Sequence, residues 1–234
     1  MSPRLRQFGQ NVWIVDGPDV RDTGFLFTTR MTAVRLSDGS LWVESPVAVS
    51  PAVLEEIKLL GPVRHIVAST PRHIWRLSAW HELFPNAEMW APGNVRLAVG
   101  AVPAASNELF TDTPAGGWEN DLEQVAFRGS SLLKEVAFFH RESRSAIMGD
   151  LIQAHPIVKG KPFRNTFIRA FGVAEPNGGV PPDIRMSFRD RDLARRSLER
   201  ILSWDFDRLI IAHGACVERD AKTYVHDAFR WLLR

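Results

Sequence analysis

Three apolar, strand-like runs in this chain each stop on a residue able to bind a metal. Val63-Arg64-His65-Ile66-Val67-Ala68 leads into Ser69-Thr70-Pro71-Arg72-His73, Ser145-Ala146-Ile147-Met148 into Gly149-Asp150, and Leu209-Ile210-Ile211-Ala212 into His213-Gly214. Parallel strands of one sheet end on a shared edge, and ligand sites gather outside those carboxyl ends. The pattern therefore predicts a pocket where two imidazoles and a carboxylate meet from distant segments.

The order of elements narrows the architecture. Short β-prone runs open the chain: Val12-Trp13-Ile14-Val15, Phe25 to Thr28 and Thr32 to Leu36. The turn Ser37-Asp38-Gly39-Ser40 joins the last of these to Leu41-Trp42-Val43-Glu44 as a hairpin. Ser50-Pro51 then caps a helix with Val53, Leu54, Ile57 and Leu60 on one face and Gly61 at its end. Arg72 to Phe84 reads as a further helix and Glu88 to Ala91 as a short strand. Pro103 to Glu119 reads as a loop, and Leu122 to Phe127, Glu135 to Phe139 and Ser145 to Met148 as strands. His155 to Pro182, rich in proline and glycine, reads as a mobile loop or short helical pieces beside a site. Ser187 is expected to cap the next helix, and a final helix spans about Asp220 to Leu233. Hairpin strands, then alternating strand and helix, then β again fit an α/β fold of two sheets with helices outside. A single doubly wound sheet fits this order less well.

Composition excludes several functions. The 234 residues suffice for one large domain, or for two small ones, and 45% are hydrophobic, enough for a substantial core. Twenty-nine basic residues against 27 acids leave a formal charge of +2 and no nucleic-acid footprint. The start, Met1 to Gln7, lacks a signal peptide's apolar stretch, and no segment approaches the ~20 apolar residues that span a bilayer. A soluble, cytoplasmic protein without nucleic-acid or membrane partners is expected. Cys216 is the one cysteine and reads as a small buried hydrophobe. The eight tryptophans are spread along the chain, as core fillers are.

Each candidate ligand has a plain alternative. Asp150 suits a metal as a hard anionic donor, or could cap a helix starting at Leu151. His213 could bond loop backbone instead of a cation. His73 could be a first-turn histidine facing water. His65, His81, His140 and His226 sit where strand, helix or turn roles explain them better, while His155, close after Asp150, could reach the site from a loop as a weaker candidate.

The segment Leu36 to Leu41, the strand Val63 to Ala68, Met148-Gly149-Asp150 and Ile211-Ala212-His213-Gly214 together resemble the metallo-β-lactamase-fold superfamily over nearly the whole length. The chain looks like a divergent member, of a bacterial branch with a degenerate His-x-His-x-Asp-His motif. Asp150 and His213 match the superfamily's bridging aspartate and final histidine. Ala68 and Thr70 stand where the first two motif histidines belong, with Arg72 or His73 at the aspartate and His73 or Ile74 at the last histidine. The later histidine, expected near Gly129-Ser130-Ser131, is missing. The resemblance implies one domain, residues 1–234, built as a four-layer αβ/βα sandwich of two mixed β-sheets flanked by helices.

Members with full sites bind two zinc or iron ions and hydrolyse esters, amides, thioesters or phosphodiesters. This chain could keep only the second site, with one zinc or iron ion on His73, Asp150 and His213. Asp150 would also orient a water for a small-molecule substrate, and Arg76 or Arg164 would hold an anionic group. The alternative is a metal-free pseudoenzyme that binds a small molecule or a protein, with Arg72 in a cation's place. A nucleophilic enzyme using Cys216 or Ser69 lacks the Gly-x-Ser-x-Gly elbow.

Overall fold

The computed structural model describes residues 4–22, 25–93, 96–97, 100–101, 103, 106–114 and 116–233. Their elements run β1 (Arg6–Gly9), β2 (Val12–Asp22), β3 (Phe25–Arg35), β4 (Leu41–Glu44), α1 (Pro51–Leu60), β5 (Val63–Val67), a 3-10 helix (Pro71–Arg76), α2 (Leu77–Leu83) and β6 (Glu88–Ala91). There follow β7 (Arg96–Leu97), β8 (Gly100–Ala101), β9 (Asn107–Glu108), β10 (Leu122–Phe127), β11 (Glu135–His140), β12 (Ser145–Met148), α3 (Pro162–Ala170), α4 (Pro182–Ser187), α5 (Arg191–Ser203), β13 (Arg208–Ile211), α6 (Ala221–Ala228) and α7 (Arg230–Leu233).

Two mixed sheets carry the fold. One has seven strands in the order β1-β2-β3-β4-β5-β6-β9, the other four in the order β10-β11-β12-β13. Period-2 alternation sorts their side chains into layers. Trp42, Val67, Trp90, Phe138, Ile147 and Ile210 fill the space between the sheets. Leu41, Val43 and Ile66 turn outward against α1 and α2. Ala146, Met148, Leu209 and Ile211 turn outward under α4 to α7. The result is the expected sandwich: helices, sheet, sheet, helices.

The three metal-capable runs do not share one sheet, as their common pattern suggested. β5 pairs parallel with β4 in the larger sheet, while β12 and β13 pair parallel in the smaller. The site is therefore a seam between two facing sheets.

Local chemistry explains the elements. Asp38 closes the β3–β4 turn by accepting from the Ser40 N–H at 2.9 Å, and Gly39 supplies φ +83°. Ser50 caps α1 through the Val53 N–H at 3.3 Å, with Pro51 in the first turn. The expected helix from Arg72 to Phe84 is instead two pieces, because the chain tightens into a 3-10 turn over Pro71–Arg76 before α2. Asp190, not Ser187, caps α5, accepting from the Leu193 N–H at 2.9 Å. Ser187 ends α4 and donates to the Ile184 carbonyl. The last helix breaks at Phe229, whose buried ring stacks on Phe127. Within 155–182, α3 is one of the expected helical pieces.

Candidate metal centre

The carboxyl ends of two parallel strand pairs, one in each sheet, build this site. β5 runs into Thr70 and the 3-10 turn bearing His73, β12 into Gly149-Asp150, β13 into His213, and β4 ends on Glu44-Ser45. His73, Asp150 and His213 each offer a ligand atom, and these atoms all lie within 4.8 Å of one another. All three are largely buried.

Hydrogen bonds fix how each donor faces. The His213 Nδ1–H donates to the Thr28 carbonyl at 2.6 Å, which leaves the Nε2 lone pair 3.1 Å from Asp150 Oδ1. Ser45 donates its hydroxyl hydrogen to Glu44, so its oxygen is free to accept from His73 Nδ1 at 2.5 Å. His73 Nε2 then faces the same Asp150 Oδ1 at 3.7 Å. Thr70 donates to the other oxygen, Oδ2, at 2.8 Å. In the neutral rings, three acceptors converge on one point with nothing to donate to them. Such a cluster calls for a shared proton or a cation. Metal-binding histidines carry this signature, with the second ring nitrogen held by a carbonyl or a carboxylate-linked group.

Charge tells the same story. Glu44, Glu135 and Asp150 are buried around two imidazoles, and buried carboxylates need compensation. Burial would raise the Asp150 pKa, but His73, His213 and Arg72 outweigh it and hold its carboxyl well below the usual range. Burial would lower His73, but Asp150, Glu44 and Glu135 outweigh it and raise its pKa. Burial and the Asp150 charge push Glu135 up to about 8, although the Gly149 and Asp150 N–H groups pull it down. A cation on Asp150 would relieve that repulsion. The donor set therefore fits a zinc or iron ion bound by two nitrogens and one oxygen.

Two supports escaped sequence reasoning. Glu135 accepts from the Gly149, Asp150 and Leu151 N–H groups at 2.7, 2.8 and 2.9 Å, pinning the Asp150 loop. No helix starts at Leu151, so Asp150 is not a cap. Arg30, on β3, reaches across the seam and donates through Nη1 to the carbonyls of Ile211 and Gly214 at 2.7 and 2.5 Å, clamping the His213 loop. A charged residue at the end of a strand, as at Glu44 and Glu135, was the available signal.

The centre opens into a cavity of about 280 Å³ with apolar walls from Val20, Phe27, Val47 and Trp75. Arg21 and Arg72 line it too. The arginines expected to hold an anionic group lie elsewhere: Arg76 stacks on Trp75, and Arg164 donates to the Pro156 carbonyl. His155 packs edge-on to Phe27 and bonds Gln153, outside the ligand group. Cys216 is part-buried against the inter-sheet core.

A family model described as a domain of unknown function, DUF4336, matches residues 10–162. The chain belongs to the DUF4336 family. That span of the DUF4336 protein holds His73 and Asp150 but stops before His213. No curated protein matches it. Among solved structures it is similar to the metallo-beta-lactamase from Pontibacter korlensis, at TM-score 0.62 and 12% identity over 100% of both chains. It is similar to a metallo-beta-lactamase from Erythrobacter litoralis, at TM-score 0.61 and 16% identity over 98% of this chain and 93% of that one. It is also similar to FIM-1 from Pseudomonas aeruginosa in its mono-zinc form, at TM-score 0.62 and 12% identity over 100% and 98%. This DUF4336 protein thus has the metallo-β-lactamase fold, as its motifs implied, in divergent form.

Proposed function

We propose that the protein is a metal-dependent hydrolase with a single-ion site on His73, Asp150 and His213. The observation that supports this reading is the convergence of three ligand atoms within 4.8 Å of one another, with the Nδ1 atoms of both imidazoles engaged elsewhere. A zinc or iron ion held there would supply a Lewis acid and a water of lowered pKa. The chain's own residues set the rest. Thr70 ties down Asp150 Oδ2, so Oδ1 is the atom left to face the centre and to orient a water. The apolar walls exclude bulk water and accept a hydrophobic part of the substrate. Arg72 makes no side-chain hydrogen bond among the described residues and lines the cavity, so it is placed to receive an anionic group.

The same Arg72 favours a second reading, a metal-free binding module in which the guanidinium takes over a cation's role. One experiment separates them. Untagged protein is reconstituted with zinc or iron, its metal measured, and activated esters, thioesters and phosphodiesters tested with wild type and His213→Ala. The hydrolase reading expects about one ion per chain and ~100-fold or greater loss of turnover in the variant. Wild type that takes up no stoichiometric metal would leave only the binding module.

A further inference from the structure

We propose that α3 and the loop before it dock this protein on an anionic lipid surface. Phe163, Phe167 and Phe171 recur at four-residue spacing, so they share one face of the helix and the turn that ends it. Phe163 is 91% exposed, and Ile157, Val158 and Phe171 are also exposed. Phe167 and Phe171 meet edge to face, which groups the rings into one patch. Ile168 is the buried side chain of α3, so the helix stands out from the body on a narrow footing.

The charge along this segment is one-sided. Lys159, Lys161, Arg164 and Arg169 lie within it, and no Asp or Glu occurs from Leu151 to Ala174. The whole chain is only +2, so the remainder is net acidic and the excess positive charge lies in this segment. None of the four pairs with an acid among the described residues; Arg164 spends one donor on the Pro156 carbonyl.

Exposed phenylalanines beside lysine and arginine, on a short protruding helix, fit the boundary between headgroups and acyl chains. Anionic headgroups complement the cations at about 1 kcal/mol each, roughly fivefold in partitioning. A second copy meeting α3 with α3 would instead oppose like charges. Surface docking departs from the expectation of no membrane partner but needs no spanning helix, and among the described residues no helix is long and apolar enough to cross a membrane.

The test is sedimentation of the full chain with phosphatidylcholine vesicles, with and without phosphatidylglycerol. Wild type should bind the anionic vesicles at least ~10-fold more tightly, and high salt should weaken that binding. Lys159→Ala/Lys161→Ala should lose ~30-fold and Phe163→Asp ~10-fold or more. Leu59→Asp, at an exposed leucine on α1, should bind as wild type. The inference is overturned if wild type stays in solution with anionic vesicles, the result an acidic protein partner would give. It is equally overturned if the α3 variants bind unchanged, or if Leu59→Asp loses as much as Phe163→Asp.

Discussion

Replacing Arg30 should loosen the candidate centre without touching a ligand. Its Nη1 donates to two carbonyls on the His213 loop, Ile211 at 2.7 Å and Gly214 at 2.5 Å. Each is a charge-assisted bond of about 1.5–3 kcal/mol, so losing both in Arg30→Met removes roughly 3–5 kcal/mol after relaxation. The guanidinium also meets Asp16 Oδ1 through Nε at 2.8 Å and Nη2 at 2.7 Å, but Asp16 is mostly exposed. That pair adds only about 0–1 kcal/mol. For a domain of this size the total corresponds to a melting point lower by ~6–20 °C. Arg30→Lys keeps the charge but not the fork, and should fall between wild type and Arg30→Met. Asp16→Asn should cost less than ~1 kcal/mol. Because the clamp holds the loop that aims His213, zinc affinity should drop about 10–100-fold in Arg30→Met. Differential scanning calorimetry and calorimetric zinc titration measure the two effects. Arg30→Lys matching wild type in both, or Asp16→Asn costing as much as Arg30→Met, would refute the argument that the carbonyl clamp matters.

Other perturbations follow from the same geometry. Gly214 has φ +108°, and a Cβ there would lie 1.8 Å from the Ala154 carbonyl oxygen, so Gly214→Ala should cost about 3 kcal/mol or more and show in urea melts. At Gly149 an added Cβ would approach Ser69 Oγ at 2.8 Å and His73 Cε1 at 3.2 Å. Gly149→Ala should cost ~1–3 kcal/mol, and zinc titration should show weaker binding as His73 shifts. His65 is buried between the sheets, and burial, then the Arg64 charge, lower its pKa to about 4 against a partial opposing pull from Asp38. Its neutral form therefore adds stability in full above pH 6.5, and this is lost as pH falls toward 4. Urea midpoints across that range should decline in wild type and decline less in His65→Phe; equal slopes would count against a neutral buried His65.

The sequence exposed the frame and the ligands better than their supports. The continuous apolar runs Leu41-Trp42-Val43 and Ala146-Ile147-Met148 marked strands, which the fold covers on both faces, and the resemblance supplied the sandwich. Asp150 and His213 were legible because each follows an apolar run and sits beside a glycine. His73 was less so, since the 3-10 turn that aims it looks like ordinary helix in its apolar spacing. Arg30 and Glu135 were hidden, because the backbone atoms they hold lie 181 and 184 residues away for Arg30 and 14 to 16 for Glu135. No local pattern encodes a bond of that kind. The α5 cap was misplaced for a related reason: Ser187 and Asp190 are both acceptable cap residues, and only the register of the turn decides between them.

The tryptophans give the protein an internal gauge. Trp42 and Trp118 meet edge to face, as do Trp90 and Trp118, and both pairs lie in the inner layer where the sheets face each other. Trp204, at the end of α5, packs into the layer between the smaller sheet and its helices, and Trp80, on α2, into that of the larger. Single-tryptophan versions would therefore give separate optical signals for parting of the sheets and for peeling of either helical coat, so the order of unfolding could be read layer by layer.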